Sequence, residues 1–413
     1  MNLVSKSVYV SPSGTAQGAG TVAAPYDLST GLDYTMPGDT LRLMSGTYAS
    51  IATKRAGAES KRITITPADG ATVVLDGPLD ISHDYITFDG RYRIEMLDSG
   101  FTDRSSDTEQ GQDAVDITGH HVKLINTIIH DFKFGVLAGA SVEDLELYGN
   151  LIYYCGWDAI NGHGVYAQNS AQWKKFIHNI VAYNFGYGFH LWGGGGNVDY
   201  MWLEKNIVFL NGLLPSEANQ AVVNLQLGGQ TANTGHKVFD NVGYGAKQQI
   251  GYGTGNPVTA TEIYDNHFDA PAVLSLIECV PDRLDGNALY GSVSGFVGGD
   301  WPANDYGAQN GTPDTVILSA NVYHEKIATL VVFNIQAEAD TVNVDLTTLG
   351  WTGQVNARNV QDYFADTQTL DIVDGVITVN MQAENRTIGT PQGWTTPQTT
   401  FPQFGAFVLE RVA

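Results

Sequence analysis

Leu124-Ile-Asn126-Thr-Ile-Ile129, Leu147-Tyr-Gly-Asn150-Leu-Ile-Tyr153 and Phe176-Ile-His-Asn179-Ile-Val181 carry the pattern that decides the fold, and Leu203-Glu-Lys-Asn206-Ile-Val-Phe209 repeats it. It continues in Val238-Phe-Asp-Asn241-Val242, Ile263-Tyr-Asp-Asn266-His-Phe268 and Leu284-Asp-Gly-Asn287-Ala-Leu289. Each is a short apolar run, an asparagine and another apolar run. Successive asparagines lie 24, 29, 27, 35, 25 and 21 positions apart, the length of one coil of a solenoid. Asparagine suits the corner of a coil because it tolerates the left-handed region and its amide can bond the equivalent amide one coil away. Such a ladder repeats at the ~4.8 Å spacing of neighbouring strands. These asparagines therefore read as structural.

Each coil also carries a second strand, in Gly135-Val-Leu-Ala, Gly164-Val-Tyr-Ala, Gly188-Phe-His-Leu, Val222-Val-Asn-Leu and Ile250-Gly-Tyr-Gly. Strand residues alternate in direction, so Val136, Val165 and Phe189 face inward while Leu137, Tyr166 and His190 face outward. Stacked coils place the outward residues in one column.

Outside the repeat, Ser7-Val-Tyr-Val begins as a strand, residues 27 to 34 read as a short capping helix, and Pro37-Gly-Asp-Thr turns into Leu41-Arg-Leu-Met. A polar cap protects the end of a solenoid from edge pairing. The chain here resembles the pectate-lyase-like superfamily of right-handed parallel β-helices, in Tyr9-Val-Ser-Pro-Ser-Gly, Pro37-Gly-Asp-Thr and Gly46-Thr-Tyr. Ile63-Thr-Ile-Thr-Pro, Val74-Leu-Asp-Gly and Tyr85-Ile-Thr-Phe-Asp-Gly match its first coils. The resemblance spans about residues 7 to 296 and implies the fold and a carbohydrate-active role, without a catalytic motif to transfer. Beyond residue 300 the asparagine column stops and short strands alternate with Gly, Asp and Pro turns. The expected organisation is an all-β chain with a β-helix over 1–300 and an antiparallel β-sandwich over 301–413, joined by a linker from Gly298 to Thr312. The sandwich resembles the accessory domains of glycoside hydrolases.

With 44 acidic against 21 basic residues, the net charge of −23 repels nucleic acid and anionic membranes. No segment reaches the ~18 apolar residues of a membrane span. The two cysteines, Cys155 and Cys279, form neither a disulfide framework nor a CxxC metal site. Met1 to Pro12 holds no apolar core of signal-peptide length, so an extracellular protein without its leader, or a virion-associated one, is expected. A shaft protein of that kind would be a homotrimer and a secreted enzyme a monomer.

Reactive side chains are densest between residues 156 and 205. Aligning Gly164 with Gly188 pairs His163 with Tyr187, Tyr166 with His190 and Gln168 with Trp192. Asp116 falls in the outward column with Leu137 between it and Tyr166, and Asn224 is expected to follow His190. The candidate proton-transfer or carboxylate residues are therefore His190, Tyr166, His163, Asp116, Asp158 and Glu204. Candidate substrate contacts are Trp192, Gln168, Tyr187, Asn224 and Lys205, with Lys174 and Lys175 as further cations nearby. Aromatic faces stack on sugar rings, amides bind hydroxyls, and parallel coils make a groove that tracks a polymer. An imidazole and a phenol one strand apart can divide a proton transfer. Hydrolysis would need two carboxyl groups about 5 to 9.5 Å apart, and no pair stands out by spacing. The acidic run Asp98 to Glu109 reads as a solvated loop and is the one candidate for Ca²⁺, the only cofactor considered. The expected partner is a polysaccharide or oligosaccharide and the expected function its cleavage, by a lyase ahead of a hydrolase or epimerase. The competing expectation is a non-catalytic glycan-binding or structural protein such as a tail spike or adhesin.

Overall fold

The computed structural model describes residues 5–104, 111–158, 160–170, 172–215, 222–307, 312–336 and 338–412. The chain divides into two units, residues 1–305 and 306–413.

The first unit is a parallel β-helix. One sheet of eleven strands, sheet 1, begins with Ser7–Val10 and Thr40–Leu43 and ends with Glu262–Tyr264 and Arg283–Asp285. An eighteen-stranded sheet bends into the other two faces. On sheet 2, strands such as Ile128–His130, Leu151–Tyr153, Ile180–Ala182 and Ile207–Phe209 stack in order. On sheet 3, the order is Leu79–Ile81, Asp113–Ile117, Phe134–Ala138, Val165–Ala167, Phe189–Leu191, Val223–Leu227 and Lys247–Ile250. Parallel crossovers of L-residues wind right-handed, which gives the helix its hand.

Helix α1, Leu28–Tyr34, lies over the first coil. Asp27 caps it by accepting from Thr30 N at 2.8 Å. Gly31 on its buried side sits so near Val10 that an added Cβ would lie 2.0 Å from a Val10 methyl. Only glycine allows the cap to seat this closely.

The corner between sheets 1 and 2 is held by buried amides. Asn150 Nδ2 donates to Asn179 Oδ1 at 3.0 Å, Asn179 to Asn206 at 3.0 Å, and Asn206 to Asn241 at 2.9 Å. The chain of bonds runs on through Asn266 and Asn287 to Asn304. Each asparagine also binds a backbone carbonyl, as Asn179 does Leu147 O at 2.9 Å. The left-handed residue is the one before the ladder residue: His178, Lys205, Asp240 and Asp265 have φ between 53° and 60°, and Gly149 and Gly286 do the same work. Asn126 is itself in that left-handed place (φ 49°), and Thr127 N donates the ladder bond to Asn150 Oδ1 at 3.0 Å. The asparagine's contribution is thus its amide, while backbone strain falls on its neighbour.

A second ladder, absent from the sequence reading, lies between sheets 2 and 3. Asn184 donates to Asn211 at 2.9 Å and Asn211 to Asn224 at 3.0 Å. Asn224 also donates to Val208 O and Ala246 O, and it is fully buried. Its expected place in the outward column is therefore corrected: Gln226 pairs with His190. Asn304 extends the first ladder into the stretch expected as a linker, and Asp305 bridges to Ala288. Solenoid packing persists there because one more amide closes the last corner.

The second unit is a β-sandwich. Five antiparallel strands run in the order Thr315–Ala320, Ile327–Phe333, Phe404–Arg411, Gly353–Asn359 and Thr367–Ile372. The pair Thr341–Asp345 and Val376–Asn380 covers them. Leu330, Val332, Val355 and Leu409 from one layer meet Val344, Ile377 and Val379 from the other, with Trp351 and Phe407 filling the core.

Replacing Asn179 by Ala strands the Asn150 backbone N–H and the Leu147 carbonyl in the core. Each orphaned group costs about 1–3 kcal/mol, so a stability loss of roughly 3 kcal/mol or more is expected in denaturant unfolding. A change under about 0.5 kcal/mol, the size of an ordinary surface substitution, would show that the ladder is not what holds the coils.

Candidate active site

The outward column of sheet 3 runs Asp80, Asp116, Leu137, Tyr166, His190, Gln226, Gln249 along successive coils. Around its middle lies a cleft of about 640 Å³. Tyr166, His190, His163, Gln168, Tyr187 and Trp192 all line it, so six of the residues singled out from sequence meet in one hollow. The walls add Phe134, Leu137, Ile160, Asn161 and Tyr252.

The rings form one contiguous aromatic set. His163 stacks on Tyr187 with centroids 5.1 Å apart and meets His190 edge-on at 4.2 Å. Tyr166 and His190 are 5.3 Å apart, and His190 stacks on Trp192 at 5.4 Å. Tyr252 closes edge-on against Trp192 at 5.7 Å. Gln168 Nε2 donates to the Tyr166 hydroxyl at 3.3 Å.

Burial sets the charge state. Desolvation lowers His190 to about 3 and holds His163 well below the usual imidazole value, with the neighbouring His190 adding to the effect on His163. Both rings are therefore neutral at pH 7. His163 Nδ1 accepts from Tyr187 N at 3.1 Å, which puts its proton on Nε2. His190 Nδ1 and Trp192 Nε1 are buried without a hydrogen-bond partner among the described residues. Both residues line the cleft, but these two atoms are themselves closed off from solvent, so a ligand reaches them only where the surrounding rings give way.

The remaining sequence candidates fall elsewhere. Asp116 is on sheet 3, but two strands from Tyr166, about 10 Å at ordinary strand spacing. Burial, with Asp80 beside it, raises its carboxyl. Asp158 caps the loop wall: Oδ1 accepts from Ile160 N at 2.8 Å and from Asn161 N, so it positions lining residues without joining them. Glu204 and Lys205 are on the sheet 1 side, paired with each other at 3.2 Å, and Glu204 also accepts from Trp202 Nε1. Their nearness in sequence to the column misled because a coil passes through a different face before returning. Lys175 faces outward on sheet 1 opposite Glu146. Lys174 points inward instead: its amine donates to the carbonyls of Gly139 and Gln168, and burial lowers it to about 7. It braces the cleft wall from behind.

Sheet 1 also carries aromatics, Trp202, Phe239 and Tyr264, but Lys237 lies over Trp202 at 5.4 Å and Arg283 over Tyr264 at 3.7 Å. Those faces are already covered by cations, so Trp192 rather than Trp202 offers a ring to a sugar. No group of three or more His, Cys, Asp or Glu among the described residues is arranged to hold a metal. Of the acidic run considered for Ca²⁺, residues 105–110 lie outside the described residues, and Asp98 is engaged with Gly100 N and Gln112 N. Arg104 at its edge, unremarked in the sequence, is fully buried between Phe101 and Phe185 and bonds Asp131 and Gly156 O, tying this segment to the turn before Trp157.

No family model and no curated protein matches the chain. Solved structures do. A pectate lyase, Pel9A, is 17% identical, covering 69% of this chain and 80% of its own with a TM-score of 0.46. A rhamnogalacturonan lyase is 14% identical, over 65% and 82% respectively, at 0.47. An alginate lyase from Paenibacillus sp. is 15% identical, over 73% and 99%, at 0.45. These likenesses are of fold.

The neutral state of His190 is testable through stability. In the unfolded chain the ring titrates near its ordinary value of about 6.5, so between there and the folded value of about 3 the unfolded state binds more protons. His190 therefore penalises folding as pH falls below 6.5 and contributes nothing above it. Melting temperatures of the wild type and His190→Asn should diverge below pH 6.5, the wild type losing more. A difference independent of pH from 7 to 4 would contradict the neutral ring.

Proposed function

We propose that the protein is a carbohydrate-active enzyme that binds a glycan chain along sheet 3 and cleaves it by β-elimination at Tyr166 and His190. The observation that carries this reading is the juxtaposition in one cleft of a buried neutral imidazole with an unpartnered nitrogen and a phenol one strand away. No carboxylate is among the described residues lining that cleft, whereas hydrolysis calls for two. A proton-transfer pair without a carboxylate suits elimination.

In that reaction the free His190 nitrogen takes the proton on the sugar carbon beside a carboxyl group. The C–H electrons form the new ring double bond, the bond from the neighbouring carbon to the glycosidic oxygen breaks, and the Tyr166 hydroxyl protonates that oxygen. Negative charge gathers on the sugar carboxyl during proton removal. The Nε2–H of His163, in the cleft lining, is an uncharged donor that can receive it. Trp192, Tyr187 and Tyr252 give ring faces and edges for the sugar plane.

Incubation with a panel of uronate polymers, followed by the ultraviolet absorbance of the unsaturated product, should show cleavage. Tyr166→Phe and His190→Ala should each lower turnover by ~10²-fold or more, while Lys205→Ala on sheet 1 should not. New reducing ends without absorbance would replace elimination by hydrolysis. Binding without cleavage would leave a glycan-binding protein.

A further inference from the structure

The cleft opens into a second hollow of about 510 Å³, and Tyr187 and Tyr252 belong to the walls of both. Its lining adds Gln226, Gln249 and Lys247. The strand Lys247–Ile250 alternates half-buried and buried, so Lys247 and Gln249 face outward while Gln248 and Ile250 face the core. Gln249 Nε2 donates to Gln226 Oε1 at 2.6 Å and Gln226 Nε2 to Gly251 O at 3.1 Å, fixing the two amides as a ledge beside the lysine.

Lys247 on sheet 3 contrasts with three lysines on the sheet 1 side. Lys123, Lys205 and Lys237 each sit within 3.4 Å of a glutamate, whereas Lys247 has no carboxylate partner among the described residues. In a chain with 44 acidic residues, a half-buried lysine without a described carboxylate partner in a concave, aromatic-walled site is open to a counter-charge from a ligand. The other described residues of its walls are uncharged, which leaves the counter-charge to a ligand.

We propose that this hollow is a subsite for an acidic sugar residue, whose carboxylate pairs with Lys247 while its hydroxyls meet Gln226 and Gln249. The inference rests on the glycan reading of the cleft and adds where along the polymer a charge is read. Tyr166, His190, Gln226 and Gln249 are on successive strands, so Gln249 lies three strand spacings from Tyr166, about 14 Å, and Lys247 two residues further along the same strand. The charge it reads belongs to a residue further along the chain than the one at Tyr166 and His190. Specificity then depends on the pattern of acidic residues and not on the reacting sugar alone.

Calorimetric titration of the full chain with oligomers of galacturonate, mannuronate and glucuronate, each beside its carboxyl-reduced counterpart, separates the possibilities. At least one acidic oligomer should bind the wild type about tenfold or more tightly than its neutral form, and Lys247→Met should remove most of that difference without weakening the neutral oligomer. Lys247→Arg should restore it. Equal binding of acidic and neutral oligomers, or a preference that survives in Lys247→Met, overturns the subsite and leaves the glycan reading intact. A wild type that binds none of them overturns both.

Discussion

From Asn150 to Asn304 the solenoid turns on buried side-chain amides, each bonded to the next one strand spacing away. A parallel β-helix cannot hide its corners in a hairpin, so the backbone groups there need partners inside the core. Asn150, Asn179, Asn206, Asn241, Asn266, Asn287 and Asn304 supply them on one corner, and Asn184, Asn211 and Asn224 on another. Because each ladder fixes the phase of neighbouring coils, outward residues on sheet 3 fall into columns with no freedom to slip. A one-residue slip would turn Tyr166 and His190 into the core.

The site follows from that phase. Gly164 and Gly188 lead adjacent strands, so the histidine before one meets the tyrosine before the other, and Tyr166 meets His190 two residues on. Packing aromatic rings around the imidazoles removes water from them, and desolvation keeps them neutral in a protein of strongly negative charge. The same crowding leaves His190 Nδ1 and Trp192 Nε1 without partners. Polar groups left in this state are costly in a finished core and useful in a binding cleft.

Much of this was legible in the sequence because it depends on period. The asparagine spacing fixes the solenoid, and counting from glycine to glycine places Tyr166 beside His190 and Gln168 beside Trp192. What was not legible depends on register, faces and loops. Asn224 was put in the outward column because Val222 was matched to Gly188, whereas the strand pairs two residues later, so Gln226 stands opposite His190 and Asn224 sits at the corner. Glu204 and Lys205 were close in number but on the other side of the coil. Tyr252 follows Gly251, whose φ of 91° takes the chain out of strand alternation, so no period could point it at Trp192. The solenoid runs on into the stretch that composition suggested as linker because Asn304 still finds an amide above it.

The most direct measurement is a crystal structure of the protein soaked with a uronate oligosaccharide. A sugar ring is expected against Trp192 with a polar atom within hydrogen-bond reach of the His190 ring and the Tyr166 hydroxyl, and the chain continuing past Tyr252 toward Lys247. A sugar bound on sheet 1, along Trp173 and Trp202, with the sheet 3 cleft empty, would contradict the assignment.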